Sequence, residues 1–182
     1  MIPPIKLFYL ISLVSVFKLS LISNAFGAPP FANSKIIAEP DLFTLYWNYT
    51  KSELIAEVHV KISTGWIGFG LSSNGGMDGS DVFVFYTQNG VANFTDRHIV
   101  KRAVLIDKNQ DWKLLSHSLS NGYTIVKFKR DLDTCDDKED ITIESGTSRI
   151  IYAWNTNQPI DGAIEYHGTR NRGSSSVQLI SS

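Results

Sequence analysis

The sequence predicts an all-β protein, folded as a sandwich of about nine to eleven strands. Short apolar runs rich in aromatic and β-branched residues recur along the chain, and polar or glycine-containing turns separate them. No window carries a sustained apolar stripe at helical spacing, so helices are not expected to build the core. The dipeptide Asn121-Gly122 joins two of the apolar runs and is the strongest hairpin signal in the chain.

The expected strands follow one another at short intervals. In residues 53–62 apolar side chains alternate with polar ones, which predicts a half-buried strand of an antiparallel sheet with His59 on its solvent face. His59, and by the same reasoning His98 and His117, is therefore interpreted as a surface residue without a functional role. The predicted strands are 42–49, 53–62, two runs within 65–86, 91–96, 99–106, 112–115, 123–129, 149–154 and 177–180.

Length and composition limit the possible domain organisation and partners. A chain of 182 residues with 43% hydrophobic and 12% aromatic residues is long enough for one hydrophobic core, so a single globular domain is expected. Seventeen basic and eighteen acidic residues give a formal net charge of −1, and the basic residues do not cluster. Because nucleic acids are bound through rows of positive side chains, the sequence argues against a nucleic-acid partner.

The first 27 residues have the layout of a secretory signal peptide. Lys6 is followed by an apolar stretch over residues 7–17, and the small-x-small sequence Ala25-Phe26-Gly27 marks a cleavage site. Lys18 interrupts the apolar run short of the roughly 20 residues that cross a bilayer, which argues against a stable membrane span. The protein is therefore predicted to be secreted or to lie in the lumen of the secretory pathway.

After the signal peptide, the chain is predicted to consist of an extended, proline-containing leader over residues 28–39 and one domain over residues 40–182. Two Asn-x-Thr sequons, at Asn48 and Asn93, predict glycosylation in the secretory pathway. Cys135 is the single cysteine. In a secreted protein an unpaired cysteine can form an intermolecular disulfide, form a disulfide with a cysteine in a segment missing from this chain, or remain a free thiol.

Several kinds of catalytic and binding motif do not occur in the sequence. There is no Gly-x-Ser-x-Gly nucleophile motif, and one cysteine in a charged segment is a poor nucleophile. The four histidines and the cysteine lack the spacings of zinc sites. The glycine-rich loop lacks the lysine and the following helix of a phosphate-binding loop. The sequence motifs therefore give no support to a hydrolase, a zinc site or a nucleotide-binding site.

One candidate site pairs a methionine with a histidine. Met77 lies in a polar, glycine-rich loop, although a thioether usually fills gaps in a core. His167 lies in a loop before the last strand, and loops at one end of a sandwich converge. A thioether and an imidazole that face each other can hold the iron of haem b in a six-coordinate, electron-transferring centre. Alternatively, Met77 caps the sandwich and His167 hydrogen-bonds a turn. The candidate apolar walls are Trp66, Phe69, Phe83 and Phe85.

A second candidate site is a set of aspartates in predicted loops, namely Asp78, Asp81, Asp96 and Asp111. Carboxylate and carbonyl oxygens suit Ca²⁺, which accepts irregular coordination by six to eight oxygens. The spacing is not that of an EF-hand loop, and aspartates in loops often cap turns instead. Both readings stay open on the residues alone.

Several longer motifs occur in a fixed order along the chain, and together they resemble a DOMON domain. The resemblance covers residues 40–181 and is nearest to the N-terminal DOMON domain of the dopamine beta-monooxygenase-like copper monooxygenases. The motifs are GWIGFG at residues 65–70, Met77 before SDVFV at 80–84, QDW at 110–112, RDLDTCD at 130–136, and YHG, NRG and VQL between 166 and 179.

The resemblance implies an immunoglobulin-like antiparallel β-sandwich in the secretory pathway. DOMON domains similar to cytochrome modules bind haem b through a methionine and a histidine, which correspond here to Met77 and His167. In the copper monooxygenases the domain precedes two catalytic domains that bind copper and hydroxylate amines with ascorbate. It also has a structural metal site, whose acidic positions match Asp81 and Asp111, with a backbone oxygen at the position of Arg97.

The chain departs from the copper monooxygenases because it contains no copper-type histidine motif, so copper is expected only in catalytic domains that it lacks. The resemblance implies that Cys135 pairs with a cysteine of the missing part. Without that partner, a disulfide-linked dimer or a mixed disulfide is expected.

The first functional hypothesis is a secreted, non-catalytic module that binds a small ligand or cofactor, with haem b as the candidate. The alternative is the accessory domain of such a monooxygenase, with a Ca²⁺-type site, and enzyme activity stays open.

Overall fold

The computed structural model describes residues 30–181, which form eleven strands and no helix. The all-β prediction is confirmed, and the strand number lies within the expected range. The strands are β1 (Asn33–Ala38), β2 (Phe43–Tyr49), β3 (Glu53–Val60), β4 (Trp66–Ser72), β5 (Ser80–Gln88), β6 (Val91–Val100), β7 (Ala103–Ile106), β8 (Lys113–Ser120), β9 (Tyr123–Asp131), β10 (Ser148–Asn155) and β11 (Arg172–Val177).

The strands form two antiparallel sheets that pack as a sandwich, as predicted. One sheet has the order β1-β2-β3-β9-β8, and the other has the order β11-β10-β4-β5-β6-β7. The predicted Asn121-Gly122 hairpin joins β8 to β9, and its two residues have φ values of 52° and 80°. A two-residue hairpin turn of this kind needs positive φ at both positions, which asparagine and glycine tolerate. The hairpin prediction is therefore confirmed.

Two edge strands differ from the sequence-based expectation. Part of the expected leader forms β1, which pairs with β2 and buries Ile37. The final strand runs over residues 172–177 rather than 177–180, and it pairs with β10. Its Arg-Gly-Ser-Ser-Ser sequence has no apolar pattern, so it is defined by backbone pairing with β10 and by the burial of Val177 at its end. The predicted signal peptide lies outside the described residues. Within the described residues no helix is long and apolar enough to cross a membrane.

The period of two along β4 separates a buried inner face from an outer face. Ile67, Phe69 and Leu71 point between the sheets and are at most 2% exposed. Phe69 is central to an aromatic cluster, with its ring centroid 5.6 to 6.3 Å from four neighbouring rings, those of Phe43, Phe83, Trp112 and Phe128. Burying an aromatic side chain of this size contributes about 1.5–3 kcal/mol, so this cluster is a major source of stability.

A second, smaller cluster covers the opposite face of the six-stranded sheet. Trp66, Val84 and Tyr86 are buried there, and they pack against Ala153 and Ile164. Ile164 belongs to the β10–β11 connection, residues 156–171, so this connection folds back over the sheet. We refer to the surface formed by Trp66, Val84 and Tyr86 as the outer face.

Candidate functional site

Met77 lies in the β4–β5 loop, residues 73–79, and this loop folds over the outer face. The hydroxyls of Ser72 and Ser80 both donate to the carbonyl of Gly76, at 2.7 and 2.8 Å. The N–H of Gly75 donates back to the Ser72 hydroxyl at 2.9 Å. Ser72 and Ser80 face each other across β4 and β5, and the alternation along β4 places Ser72 on the outer side. The loop therefore brings the half-buried Met77 toward the outer face.

His167 lies in the β10–β11 connection and is 8% exposed. Its ring centroid is 6.5 Å from that of Trp66 and 4.6 Å from that of Tyr166. The Nδ1 atom lies 2.6 Å from the carbonyl oxygen of Gly168. A carbonyl can only accept, so Nδ1 carries the proton in this contact and Nε2 keeps a free lone pair. Metal-binding histidines are commonly oriented by such a bond, so His167 is suited to ligation through Nε2.

The structure places the two candidate haem ligands at opposite ends of β4, not at one end as the sequence suggested. Trp66, beside His167, begins the strand, whereas Ser72, which anchors the Met77 loop, ends it. A seven-residue strand is about 20 Å long. The reason is that β10 runs antiparallel to β4, so the connection that follows β10 starts where β4 begins. Both segments nevertheless fold onto the same face.

Of the proposed haem walls, the structure places only Trp66 on the outer face. Phe69 points between the sheets, as do Phe83 and Phe85, because side chains alternate along each strand. Trp66 is packed closely over the neighbouring glycine, since a Cβ added at Gly68 would lie 3.4 Å from its Cζ3 atom. The indole Nε1 of Trp66 is buried without a hydrogen-bond partner. A thioether and an imidazole suit haem iron as donor types, but Met77 and His167 lie in connections at opposite ends of β4, and Trp66 and Ile164 cover the surface between them.

A second constellation lies between the two sheets. Asp81 of β5, Asp96 of β6 and Asp140 of the β9–β10 connection (residues 132–147) each bring a carboxylate oxygen within 4.8 Å of the others. Asp81 and Asp96 are fully buried, and the side chain of Asp140 is 3% exposed. We call these three residues the interior carboxylate cluster.

The hydrogen bonds of the interior carboxylate cluster leave two of its oxygens without a partner. Asp81 accepts from Trp112 Nε1, from Arg130 Nη2 at 2.8 Å, and from the backbone N–H of residue 141 at 3.0 Å. The Oδ2 atom of Asp96 accepts two backbone N–H groups, at 2.7 and 3.0 Å. Asp96 Oδ1, Asp140 Oδ2 and the Nε of Arg130 are buried and form no hydrogen bond, although Arg130 Nη2 lies 3.5 Å from Asp140 Oδ2 and the Asp107 carboxyl lies against that of Asp96. Unpartnered buried carboxylate oxygens are costly, and a proton or a cation relieves this cost.

The charges of the cluster are also unbalanced. Arg130 is fully buried, pairs with Asp81, and approaches Asp140 to only 3.5 Å. One guanidinium therefore faces three carboxylates. Burial raises the pKa of Asp96 to about 8, and it raises the pKa of Asp81 to about 6 against the opposing effect of Arg130. Burial also raises the pKa of Asp140. Near neutral pH the cluster must therefore retain protons or bind a cation.

The other acidic residues expected at a metal site lie around the cluster. Asp111 donates its backbone N–H to Asp96, and its charge raises the pKa of Asp140. The exposed Asp78 accepts from the backbone N–H of Lys101. The side chain of Arg97 is directed away from the cluster, and its Nε donates to Thr95 at 2.9 Å.

The sequence reasoning missed Arg130 and Asp140. Arg130 could have been found, because Val126 and Phe128 point inward and the period of two places residue 130 on the same face. Asp140 could not have been found in this way. It lies in an aperiodic, charged connection whose folding depends on tertiary contacts, such as the N–H of Ile141 donating to Asp81.

The remaining predicted sites are on the surface of the domain. The side chain of Asn48 accepts from the N–H of Ala32 at 2.7 Å and donates to the carbonyl of Pro30 at 3.0 Å. Asn93 donates to the carbonyl of Val91 at 3.3 Å. Cys135 is exposed and carries a free thiol.

Comparison with known proteins identifies the family of this sandwich. A family model described as the DOMON domain matches residues 39–155. The chain belongs to the DOMON domain family. The DBH-like monooxygenase protein 1 of Gallus gallus is 33% identical to this DOMON domain over 139 residues, which are 76% of this chain and 22% of that protein. Human dopamine beta-hydroxylase is 29% identical over 147 residues, with 76% of this chain and 24% of that protein covered. The expected resemblance is thereby confirmed.

The DOMON fold also matches a solved structure. The cytochrome domain of Myriococcum thermophilum cellobiose dehydrogenase superposes with a TM-score of 0.63 at 14% sequence identity, over 81% of this chain and 82% of that one. At this identity the similarity concerns the fold alone. The chain spans about a fifth of the length of the curated relatives that it matches.

Proposed function

We propose that this DOMON domain is a non-catalytic, ligand-binding module whose main site binds Ca²⁺ between the two sheets. The observation that carries the proposal is the interior carboxylate cluster, in which three buried carboxylates have one guanidinium as their counter-charge and two oxygens form no hydrogen bond. Asp81, Asp96 and Asp140 would hold the ion. Their oxygen-only donor set suits a hard cation such as Ca²⁺.

The role of the cation would be structural. Asp81 and Asp96 belong to the six-stranded sheet, whereas Asp140 belongs to the connection that follows β9 of the five-stranded sheet. A bound ion would neutralise the excess charge and tie this connection to β5 and β6. Such a domain fits the accessory part of a DBH-like monooxygenase polypeptide. Copper binding and amine hydroxylation would then belong to parts of that polypeptide outside this chain.

Thermal unfolding of the protein in calcium and in EDTA tests the proposal. An ion at 100 times its Kd stabilises the folded state by about 2.7 kcal/mol, so Tm should rise clearly in calcium. Asp96→Asn should lose this rise, because it removes a ligand. Asp78→Asn, a change of an exposed aspartate in the β4–β5 loop, should retain it. Equal Tm values of the wild type in calcium and in EDTA would exclude the proposed site.

Haem b on the outer face is a second candidate ligand. It is favoured by the orientation of His167, whose Nδ1 is engaged and whose Nε2 is free, beside the unpartnered Nε1 of Trp66. Met77 would supply the second protein ligand, which requires its loop to approach His167 from the other end of β4. When bound, haem would supply one-electron transfer. Its binding requires the β10–β11 connection and Trp66 to uncover the sheet.

Reconstitution with haem tests this second candidate. The wild type should give a low-spin, six-coordinate spectrum, and Met77→Ala and His167→Ala should each change it. His117→Ala removes an exposed histidine of β8 and serves as the matched control. Failure to take up haem, or unchanged spectra in both ligand variants, would rule out haem binding at this face.

Secretion, glycosylation and disulfide formation complete the proposed picture. The exposed position of Cys135 supports an intermolecular or mixed disulfide in an oxidising compartment. Electrophoresis of secreted wild type and Cys135→Ser, with and without reductant, tests this pairing, and a freely alkylatable monomer would contradict it.

Mobility shifts on glycosidase treatment, measured in Asn48→Gln and Asn93→Gln, test the two sequons.

A further inference from the structure

A mixed cluster of nitrogen and oxygen donors borders the interior carboxylate cluster, because its Asp107 lies against Asp96. His98, Asp107 and Glu139 each bring one potential ligand atom within 4.8 Å of the others. His98 belongs to β6, Asp107 directly follows β7, and Glu139 belongs to the β9–β10 connection. The sequence predicted His98 to be a surface residue without a functional role. Sequence periodicity could not show that Asp107 and Glu139, which come from two distant segments, lie beside it.

The backbone fixes the relative positions of these three residues. The N–H of Asp107 donates to the carbonyl of Asp96 at 3.1 Å, which extends the β6–β7 pairing by one step. The next backbone N–H, that of Lys108, donates to Glu139 Oε2 at 3.1 Å. These bonds hold the carboxylate of Glu139 beside the end of the hairpin.

Asp107 carries a buried carboxylate oxygen that receives no N–H donor, and its carboxyl lies against that of Asp96. Its side chain is 1% exposed, and its Oδ1 atom contacts Nδ1 of His98. Its Oδ2 atom is buried and has no hydrogen-bond partner. Among the described residues, no lysine or arginine forms an ion pair with Asp107 or Glu139. Two adjacent buried carboxyls, Asp96 and Asp107, that lack a lysine or arginine partner must share a proton or bind a cation.

We propose that His98, Asp107 and Glu139 form a second metal site, selective for a divalent transition ion of the Zn²⁺ class. Imidazole is a good ligand for Zn²⁺, Cu²⁺ and Ni²⁺, whereas the interior carboxylate cluster offers only oxygens. In this structure Nδ1 of His98 contacts Oδ1 of Asp107, and the ion would bind at this contact with Glu139 as the third ligand.

The exposure of the cluster makes this site accessible. The side chain of His98 is 18% exposed and Glu139 is half-buried, so an ion can enter from solvent. Three protein ligands leave a fourth tetrahedral position for water. An ion at this position would join the β6–β7 hairpin to the β9–β10 connection, which also supplies Asp140 to the interior carboxylate cluster.

Copper and zinc are the test ions, used with tag-free protein. The electron paramagnetic resonance spectrum of one equivalent of Cu²⁺ should show the coupling of a single imidazole nitrogen, and His98→Asn should abolish this coupling. Calorimetry should show that His98→Asn weakens Zn²⁺ binding by more than about 100-fold, because losing a ligand costs at least as much as losing its supporting contact. His117→Asn, which changes an exposed histidine of β8, should leave both measurements unchanged.

Glu139→Gln provides a milder variant, because glutamine retains an acceptor for the N–H of Lys108. It should weaken Zn²⁺ binding by at least about 10-fold while leaving the Ca²⁺-induced rise in Tm intact, which separates this site from the interior carboxylate cluster. A copper spectrum without nitrogen coupling, or equal Zn²⁺ affinities of wild type and His98→Asn, would overturn the proposal.

Discussion

The interior carboxylate cluster and the outer face differ in what holds their side chains. In the interior carboxylate cluster, two of the three carboxylates come from adjacent paired strands, and fully buried donors such as Arg130 orient them. On the outer face, Met77 and His167 both lie in connections, and packed side chains cover the sheet between them. Strands therefore build a polar site whose unpartnered oxygens need either a proton or a cation, whereas the two connections carry donors that remain separated by packed side chains.

The largest expected effect comes from replacing Arg130, the buried guanidinium beside the interior carboxylate cluster. Arg130→Leu leaves buried carboxylates unpaired, and we expect the free energy of unfolding to fall by about 3–5 kcal/mol. Lys129→Met, at the neighbouring position, breaks only a partly exposed pair with Glu53 and should cost less than about 1 kcal/mol. Urea unfolding in EDTA measures both changes. Equal losses in the two variants would remove the distinction between the interior and the surface.

The pH dependence of stability gives the next largest effect. In the unfolded chain Asp96 loses its proton near pH 4, whereas the folded domain holds it up to about pH 8. The protonated carboxyl therefore contributes stability that is complete below about pH 4 and is lost as pH rises through about 8. Asp81, whose pKa is raised to about 6, acts in the same direction.

We therefore expect the Tm of the wild type in EDTA to fall between pH 5 and pH 8. Asp96→Asn should flatten this slope, because asparagine cannot ionise. Calcium should flatten it in the wild type, because the ion replaces the proton. A Tm in EDTA that stays constant or rises over this range would contradict the assigned burial of the two aspartates.

The outer face should give the smallest effect. Met77→Leu exchanges side chains of similar volume in a half-buried loop, so without haem it should change the free energy of unfolding by less than about 1 kcal/mol. Urea unfolding measures this change. A loss above about 2 kcal/mol would mean that Met77 has a packing role comparable to that of a core residue.

The same contrast explains how far the sequence could predict the molecule. The alternation in residues 53–62 and the Asn121-Gly122 turn were sufficient to predict a strand and a hairpin, because strand period and turn chemistry are local properties. The rarity of Met77 identified a candidate donor, but its position relative to His167 depends on the strand order, which is not local. The alternation of side chains along GWIGFG could have shown that Trp66 and Phe69 lie on opposite faces of the strand. No local pattern could have brought Glu139 or Asp140 to β6.

The most direct test of the central claim is a calorimetric titration of the tag-free protein with calcium near neutral pH. We predict one Ca²⁺ bound per chain of the wild type, with release of protons from the interior carboxylate cluster, and no binding to Asp96→Asn. Absence of calcium binding to the wild type, or the same binding to Asp96→Asn, would contradict the claim that the buried carboxylates form a cation site.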